Sequence, residues 1–277
     1  MSQMNIPGRL LAALLLLAAG CSSNSDSARV QSAAAQTASL SQASTSQAST
    51  GQSAPAPLHE GPKHWGALLV AGDDSAPVFD NAVNRIKGML TETNVVAMQA
   101  LSSDFTKTPV DQIATVARMD AALDSLPKDA DTGCFVFVTS HGGRKGLLMT
   151  NDLDSQRFLT PGDFGRMLDA RCGSRPTVAV VSACFSGIFL DQMTMAPNRI
   201  ILTAARRDRP SFGCSAEETY TYYDACLIDN WQKAQSFGQL HKDISRCVHD
   251  KEVALGVKPS EPQAYFGAAI GDVPLPR

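Results

Sequence analysis

Residues 134–139 read CFVFVT and run into Ser140-His141-Gly142-Gly143; residues 177–181 read TVAVV and run into Ser182-Ala183-Cys184-Phe185-Ser186-Gly187. Each is a short, unbroken run of β-branched, aromatic and small apolar residues closed by a segment of small residues, the pattern of a strand buried on both faces. The same kind of run recurs at 66–72 (GALLVAG), 94–101 (NVVAMQAL) and 199–203 (RIILT), with 263–270 as a candidate last edge strand. Helical periods lie between them. Residues 79–90 carry Ala82, Val83, Ile86, Met89 and Leu90 on one stripe, and a helix opening at Pro109 and reaching Leu126 carries Ile113, Val116, Ala117 and residues 119–123. Thr160-Pro161 reads as an N-cap followed by proline at the first helical position, opening a helix with Phe164, Met167 and Leu168 on one side. Apolar strands alternating with helices predict an α/β domain whose mostly parallel sheet is covered on both faces, with right-handed crossovers. In such sheets chemistry sits at the carboxyl ends of the strands, which is where His141 and Cys184 fall.

Outward from this domain, assigned to residues 65–277, the chain changes character. Residues 1–20 have Arg9, an apolar run from Leu10 to Ala19 and a small residue at the end, the layout of a secretory signal. The run is too short to span a bilayer comfortably. The segment Ala18-Ala19-Gly20-Cys21 resembles a bacterial lipobox, which implies cleavage before Cys21, lipidation of its thiol and, with Ser22 and Ser23 following, anchorage at the outer membrane facing the periplasm. Residues 21–64 are rich in Ser, Ala, Gln and Thr and end near Ala54-Pro55-Ala56-Pro57, a composition that cannot bury enough apolar surface to fold and reads as a tether. A net charge of −3 without a basic block gives no footprint for nucleic acid.

His141 and Cys184 carry the chemistry. They are separated by roughly 40 residues, room for a loop, one helix and the next strand. If the two strands are neighbours, both side chains reach one rim. An imidazole beside a thiol takes its proton or stabilises the thiolate, then protonates a leaving amine. The backbone N–H of Gly142, with that of Cys184, is placed to form an oxyanion hole. Seven cysteines are present. With Cys21 lipidated and Cys184 free, Cys134, Cys172, Cys214, Cys226 and Cys247 admit at most two bridges, in pairs the sequence does not choose. No Cys/His grouping has zinc-site spacing, so a structural metal is not expected. Asp73-Asp74 follow the first strand and approach the cleft, Arg206-Arg207-Asp208-Arg209 reads as a solvated turn, and His241 and His249 read as surface residues of a polar helix.

Taken together, the chain resembles the caspase-like cysteine peptidases, and specifically the legumain family. In that family one strand ends in His-Gly and the next in Ala-Cys-x-Ser-Gly, as His141-Gly142 and Ala183-Cys184-Phe185-Ser186-Gly187 do here. Thr203-Ala204-Ala205, Ser211-Phe212-Gly213-Cys214 and Thr221-Tyr222-Tyr223-Asp224 extend the likeness, as does the opening Val70-Ala71-Gly72. The resemblance implies a three-layer α/β sandwich, a Cys184–His141 dyad acting on a peptide or protein substrate, no cofactor, and Ser211 and Asp224 in the substrate pocket. The family carries an Arg after the first strand, at the position of Asp80, and a Glu after its cysteine, at Phe185. An acidic Asp80 facing the pocket would favour a basic P1 side chain; it reads more readily as a first-turn helix residue favoured by the dipole. Two alternatives stand beside hydrolysis: a transpeptidase using the same dyad, and a binding lipoprotein on a peptidase fold. A monomer is the default expectation.

Overall fold

The computed structural model describes residues 59–150 and 157–277. The expected signal segment, the expected lipidation site at Cys21 and nearly all of the expected tether lie outside the described residues. Strand β1 (His64–Ala71) leads through a short turn into α1 (Val78–Leu90), β2 (Val95–Ser102), α2 (Val116–Asp124) and β3 (Thr132–Thr139). Three short strands follow, β4 (Gly142–Gly143), β5 (Gly146–Leu148) and β6 (Phe158–Leu159), then α3 (Pro161–Met167) and β7 (Thr177–Ser182). The chain closes with β8 (Arg199–Thr203), α4 (Tyr222–Trp231), α5 (Phe237–Leu255) and β9 (Gln263–Phe266).

The main sheet has the order β2-β1-β3-β7-β8-β9, parallel throughout except for β9, which pairs antiparallel with β8. Period-two alternation sends side chains to two separate cores. On one face Trp65, Leu69, Phe135, Phe137, Val178 and Ile200 pack with α1, α4 and α5. On the other, Leu68, Val70, Val136, Val138, Val181 and Ile201 pack with α2 and α3. This is the three-layer sandwich that the alternating pattern implies, with helices on both faces of a mostly parallel sheet. One disulfide sits on each face: Cys134–Cys172 ties β3 to the turn after α3, and Cys226–Cys247 ties α4 to α5.

Two features depart from the sequence-based expectation. The helix expected from Pro109 to Leu126 is broken. A single 3-10 turn (Val110–Gln112) is followed by extended backbone, because Ile113 bridges to Ser102 in parallel and the Ala114 N–H donates to the Ser102 carbonyl at 2.8 Å. Thr115 then caps α2, its hydroxyl accepting from the Arg118 N–H at 3.1 Å. The small antiparallel sheet β4-β5-β6 was not expected. Thr160 does cap α3 as anticipated, its hydroxyl accepting from the Asp163 N–H at 3.2 Å.

Candidate active site

The residues following β3 and β7 converge. The two strands are adjacent and in register from Cys134↔Thr177 to Thr139↔Ser182. His141 lies two residues beyond the end of one and Cys184 two beyond the end of the other. Both line an open cavity of about 400 Å³, with Ser211, Cys214, Glu218 and Tyr222 on its walls. A larger cavity, about 560 Å³, lies at the start of α1 and the end of β2 and touches neither residue.

The backbone around the thiol is tightly constrained. A Cβ on Gly142 would lie 2.1 Å from the Cys184 carbonyl oxygen, so only glycine lets β4 approach the thiol-bearing turn. Phe185 adopts φ 59°, a left-handed conformation that costs a non-glycine residue energy. It is held by its N–H donating to the Arg209 carbonyl at 2.8 Å and by Arg144 lying over its ring at 5.8 Å. Gly187 is needed where the next turn passes Arg207, because a Cβ there would lie 2.5 Å from the Arg207 amide nitrogen. The 206–209 segment is thus a surface turn, pinned by ion pairs from Arg206 and Arg209 to Glu261, that buttresses the residue after the thiol.

Cys184 Sγ sits in a ring of donors. The Ser211 N–H lies 3.3 Å from it and the Ser211 hydroxyl 3.7 Å; as a thiol it donates to the Ser211 carbonyl at 3.4 Å. A hydrogen bond from the Cys214 thiol is the main cause that lowers the Cys184 pKa to about 6. Burial opposes it, while Ser211 and the positive charge of His141 assist. The sulfur is therefore largely ionised at neutral pH, the state that acts as a nucleophile. His141 packs edge-on against Phe79, with ring centres 5.2 Å apart. Behind it lies Asp73, 2% exposed, which accepts hydrogen bonds from the Ser75 N–H at 2.8 Å and from the Ser75 and Thr150 hydroxyls. Burial alone would raise its pKa, but these bonds and the charge of His141 hold it below the ordinary carboxylate range.

The other expected site residues divide. Ser211 joins the cavity and touches the sulfur. Asp224 does not: it is fully buried behind the strand ends, taking the Thr139 hydroxyl at 2.8 Å. Its N–H is used to cap α4 through the Thr221 hydroxyl at 3.1 Å. Asp80 also lies away from the thiol. It is a first-turn residue of α1 on the larger cavity, with its pKa raised chiefly by burial and by the nearby Asp104 and Asp74. The electrostatic case for a basic P1 side chain through Asp80 therefore falls, and Glu218 is the carboxylate on the wall beside the thiol. Cys214 and Glu218 were not singled out from the sequence as site residues. They reach the cavity on a loop between β8 and α4 that has no periodicity to betray its path. His249 is exposed as expected, whereas His241 is half-buried, with burial lowering its pKa. Among the described residues no group of His, Cys, Asp and Glu side chains is arranged to hold a metal ion.

No curated protein matches the chain. The model of the peptidase C13 family matches residues 68–276, which takes in the second half of β1, every other strand of the main sheet, His141, Cys184 and the loop that carries Ser211 and Cys214; the chain belongs to the peptidase C13 family.

Proposed function

We propose that the protein is a cysteine endopeptidase that cleaves peptide bonds through a thioester on Cys184. The observation that carries this reading is the placement of Cys184 and His141 at the ends of adjacent parallel strands in one open cavity, with the sulfur already surrounded by donors that favour its thiolate. The thiolate attacks the scissile carbonyl carbon, and the carbonyl oxygen takes up negative charge facing the N–H groups of Gly142 and Cys184. His141, protonated in the ion pair, gives its proton to the leaving amine as the C–N bond breaks. Water then enters, His141 removes its proton, and hydroxide displaces the Cys184 sulfur to release the acid. Family membership supports cysteine peptidase chemistry. The two disulfides are consistent with a cell-envelope location, the setting that the Cys21 anchor implies.

The test uses protein lacking residues 1–21 beside its Cys184→Ala variant, on fluorogenic peptides spanning all P1 residues. The parent should cleave and the variant should lose at least about a thousandfold in kcat/KM. The parent's kcat/KM should rise with pH through about 6 as Cys184 ionises. Equal turnover by the two proteins would end the assignment of Cys184 as nucleophile.

A further inference from the structure

Cys184 is accompanied by a second free thiol. Of the six described cysteines, four are paired as Cys134–Cys172 and Cys226–Cys247, and Cys184 and Cys214 remain reduced. Both line the same cavity, and the Cys214 thiol is near enough to be the largest influence on the ionisation of Cys184. The loop that brings Cys214 there is anchored at both ends. Ser211 is fixed to the Cys184 sulfur through its N–H at 3.3 Å, and the Phe212 carbonyl accepts from the Tyr222 N–H at 3.0 Å. Gly213 makes the intervening bend at φ 86°, where a Cβ would lie 2.6 Å from the Tyr222 ring. Peptide hydrolysis as described above needs no thiol at position 214. A hydroxyl or a water would serve equally as a donor.

We propose that Cys184 and Cys214 form a reversible disulfide that switches the nucleophile off, an inference resting on the reading of Cys184 as the peptidase nucleophile. The chemistry is thiol–disulfide exchange with a low-molecular-weight or protein disulfide as oxidant. The Cys184 thiolate attacks one sulfur of that disulfide, its S–S bond breaks, and one thiolate leaves. The Cys214 thiol then gives its proton to that leaving thiolate and attacks the Cys184 sulfur, expelling the second thiolate. Two cysteines are oxidised by two electrons and one disulfide is reduced to two thiols.

The local electrostatics set the order of these steps. In the reduced state the Cys214 pKa is raised by its hydrogen bond to Cys184, by burial and by the negative charge on Cys184. Cys214 is therefore the spectator while Cys184 reacts. Capture of Cys184 as a neutral mixed disulfide removes the first and third of these causes, so Cys214 becomes the attacking thiol only once there is a bond for it to resolve. The two structural bridges imply maturation in an oxidising compartment, where disulfide oxidants are at hand. In such a compartment the pair would keep the peptidase silent until a reductant reaches the cavity.

The experiment treats the protein lacking residues 1–21, and its Cys214→Ser variant, with oxidised glutathione. Free thiols are alkylated and peptides are mapped without reduction. The parent should yield a peptide linked through Cys184 and Cys214 and lose activity, which reduced glutathione restores. The variant should instead carry one glutathione on Cys184. A parent that carries glutathione on Cys184 while Cys214 still alkylates overturns the proposal, and this outcome needs no folded variant. A linked peptide in a protein whose reduced form cleaves nothing defeats the peptidase reading. The pair would then be a third structural bridge and not a switch.

Discussion

At the scale of single residues, the most informative group after the proposed dyad is Asp73. It stands just past the end of β1, where Ala71 pairs with Thr139 and the Gly72 N–H donates to the Thr139 carbonyl at 2.9 Å, so the register of two strands delivers it beside His141. A buried carboxylate kept ionised by three donors is a fixed negative charge, and in the proposed mechanism it favours the imidazolium that must persist while the Cys184 thiolate attacks. Asp73→Asn separates this charge from the loop geometry. The side-chain oxygen can still accept from the Ser75 N–H, but the charge is gone. The variant should lose about tenfold in kcat/KM through kcat, with little change in KM or thermal midpoint. A lower thermal midpoint with kcat/KM intact would show that Asp73 only shapes the turn after β1.

At the scale of elements, Asp224 shows how a helix start can be paid for in charge burial. Thr221 caps α4 through the Asp224 N–H, which directs the Asp224 side chain into the fully buried space behind β3 and β7. Burial raises its pKa to about 6, and the Ser182, Thr139 and Thr221 hydroxyls offset only part of that rise. The sign of the pH effect follows. A carboxyl with a raised folded pKa binds its proton more tightly in the native state, so its contribution is fully present below about pH 4 and is lost as pH rises through about 6. Asp224→Asn should therefore raise the thermal midpoint by a few degrees near neutral pH, on the order of 1 kcal/mol, and the gain should vanish near pH 4; a lower midpoint at neutral pH would contradict this account. The same element marks the limit of what the sequence discloses. β1, β3, β7 and β8 announce themselves because each is a continuous apolar run, and the shared position of His141 and Cys184 is legible because each follows such a run directly. The helix expected from Pro109 ran past its true start because one β-bridge at Ile113 outweighs a helical stripe, and no periodicity exists in two-residue strands such as β4 and β6. Asp80 and Asp224 were assigned to the pocket by correspondence with a family motif, yet whether a side chain faces a cavity depends on the turn of the helix beneath it. Cys214 escaped because its meaning lies wholly in a contact with Cys184, made by a loop that returns over the strand ends.

At the scale of the whole molecule, the sheet is stapled once on each face, and both staples lie apart from the residues that line the thiol cavity. Cys134 is at the beginning of β3, at the end of that strand opposite His141, and its bridge closes a loop of sequence separation 38. Cys226–Cys247 closes a separation of 21 within the α4–α5 pair. On chain-entropy grounds, opening either bridge removes about 3–4 kcal/mol of stability, with the longer loop costing slightly more. For a domain of this size that is a fall of roughly 10 °C in thermal midpoint. The Cys134→Ala/Cys172→Ala and Cys226→Ala/Cys247→Ala double variants should both melt earlier, the first by slightly more, while retaining the parent's kcat/KM at a temperature where each remains folded. Chemistry and stability would then be served by different cysteines in one chain. That separation matters for the proposed switch: a reductant mild enough to free Cys184 from a bridge with Cys214 on the wall of an open cavity need not open the two structural bridges, three of whose four cysteines are fully buried. Loss of kcat/KM in a double variant that is still folded would mean that the staples also hold the strand ends in register, and that the catalytic rim is set by tension across the sheet and not by the local turns at Gly142 and Phe185.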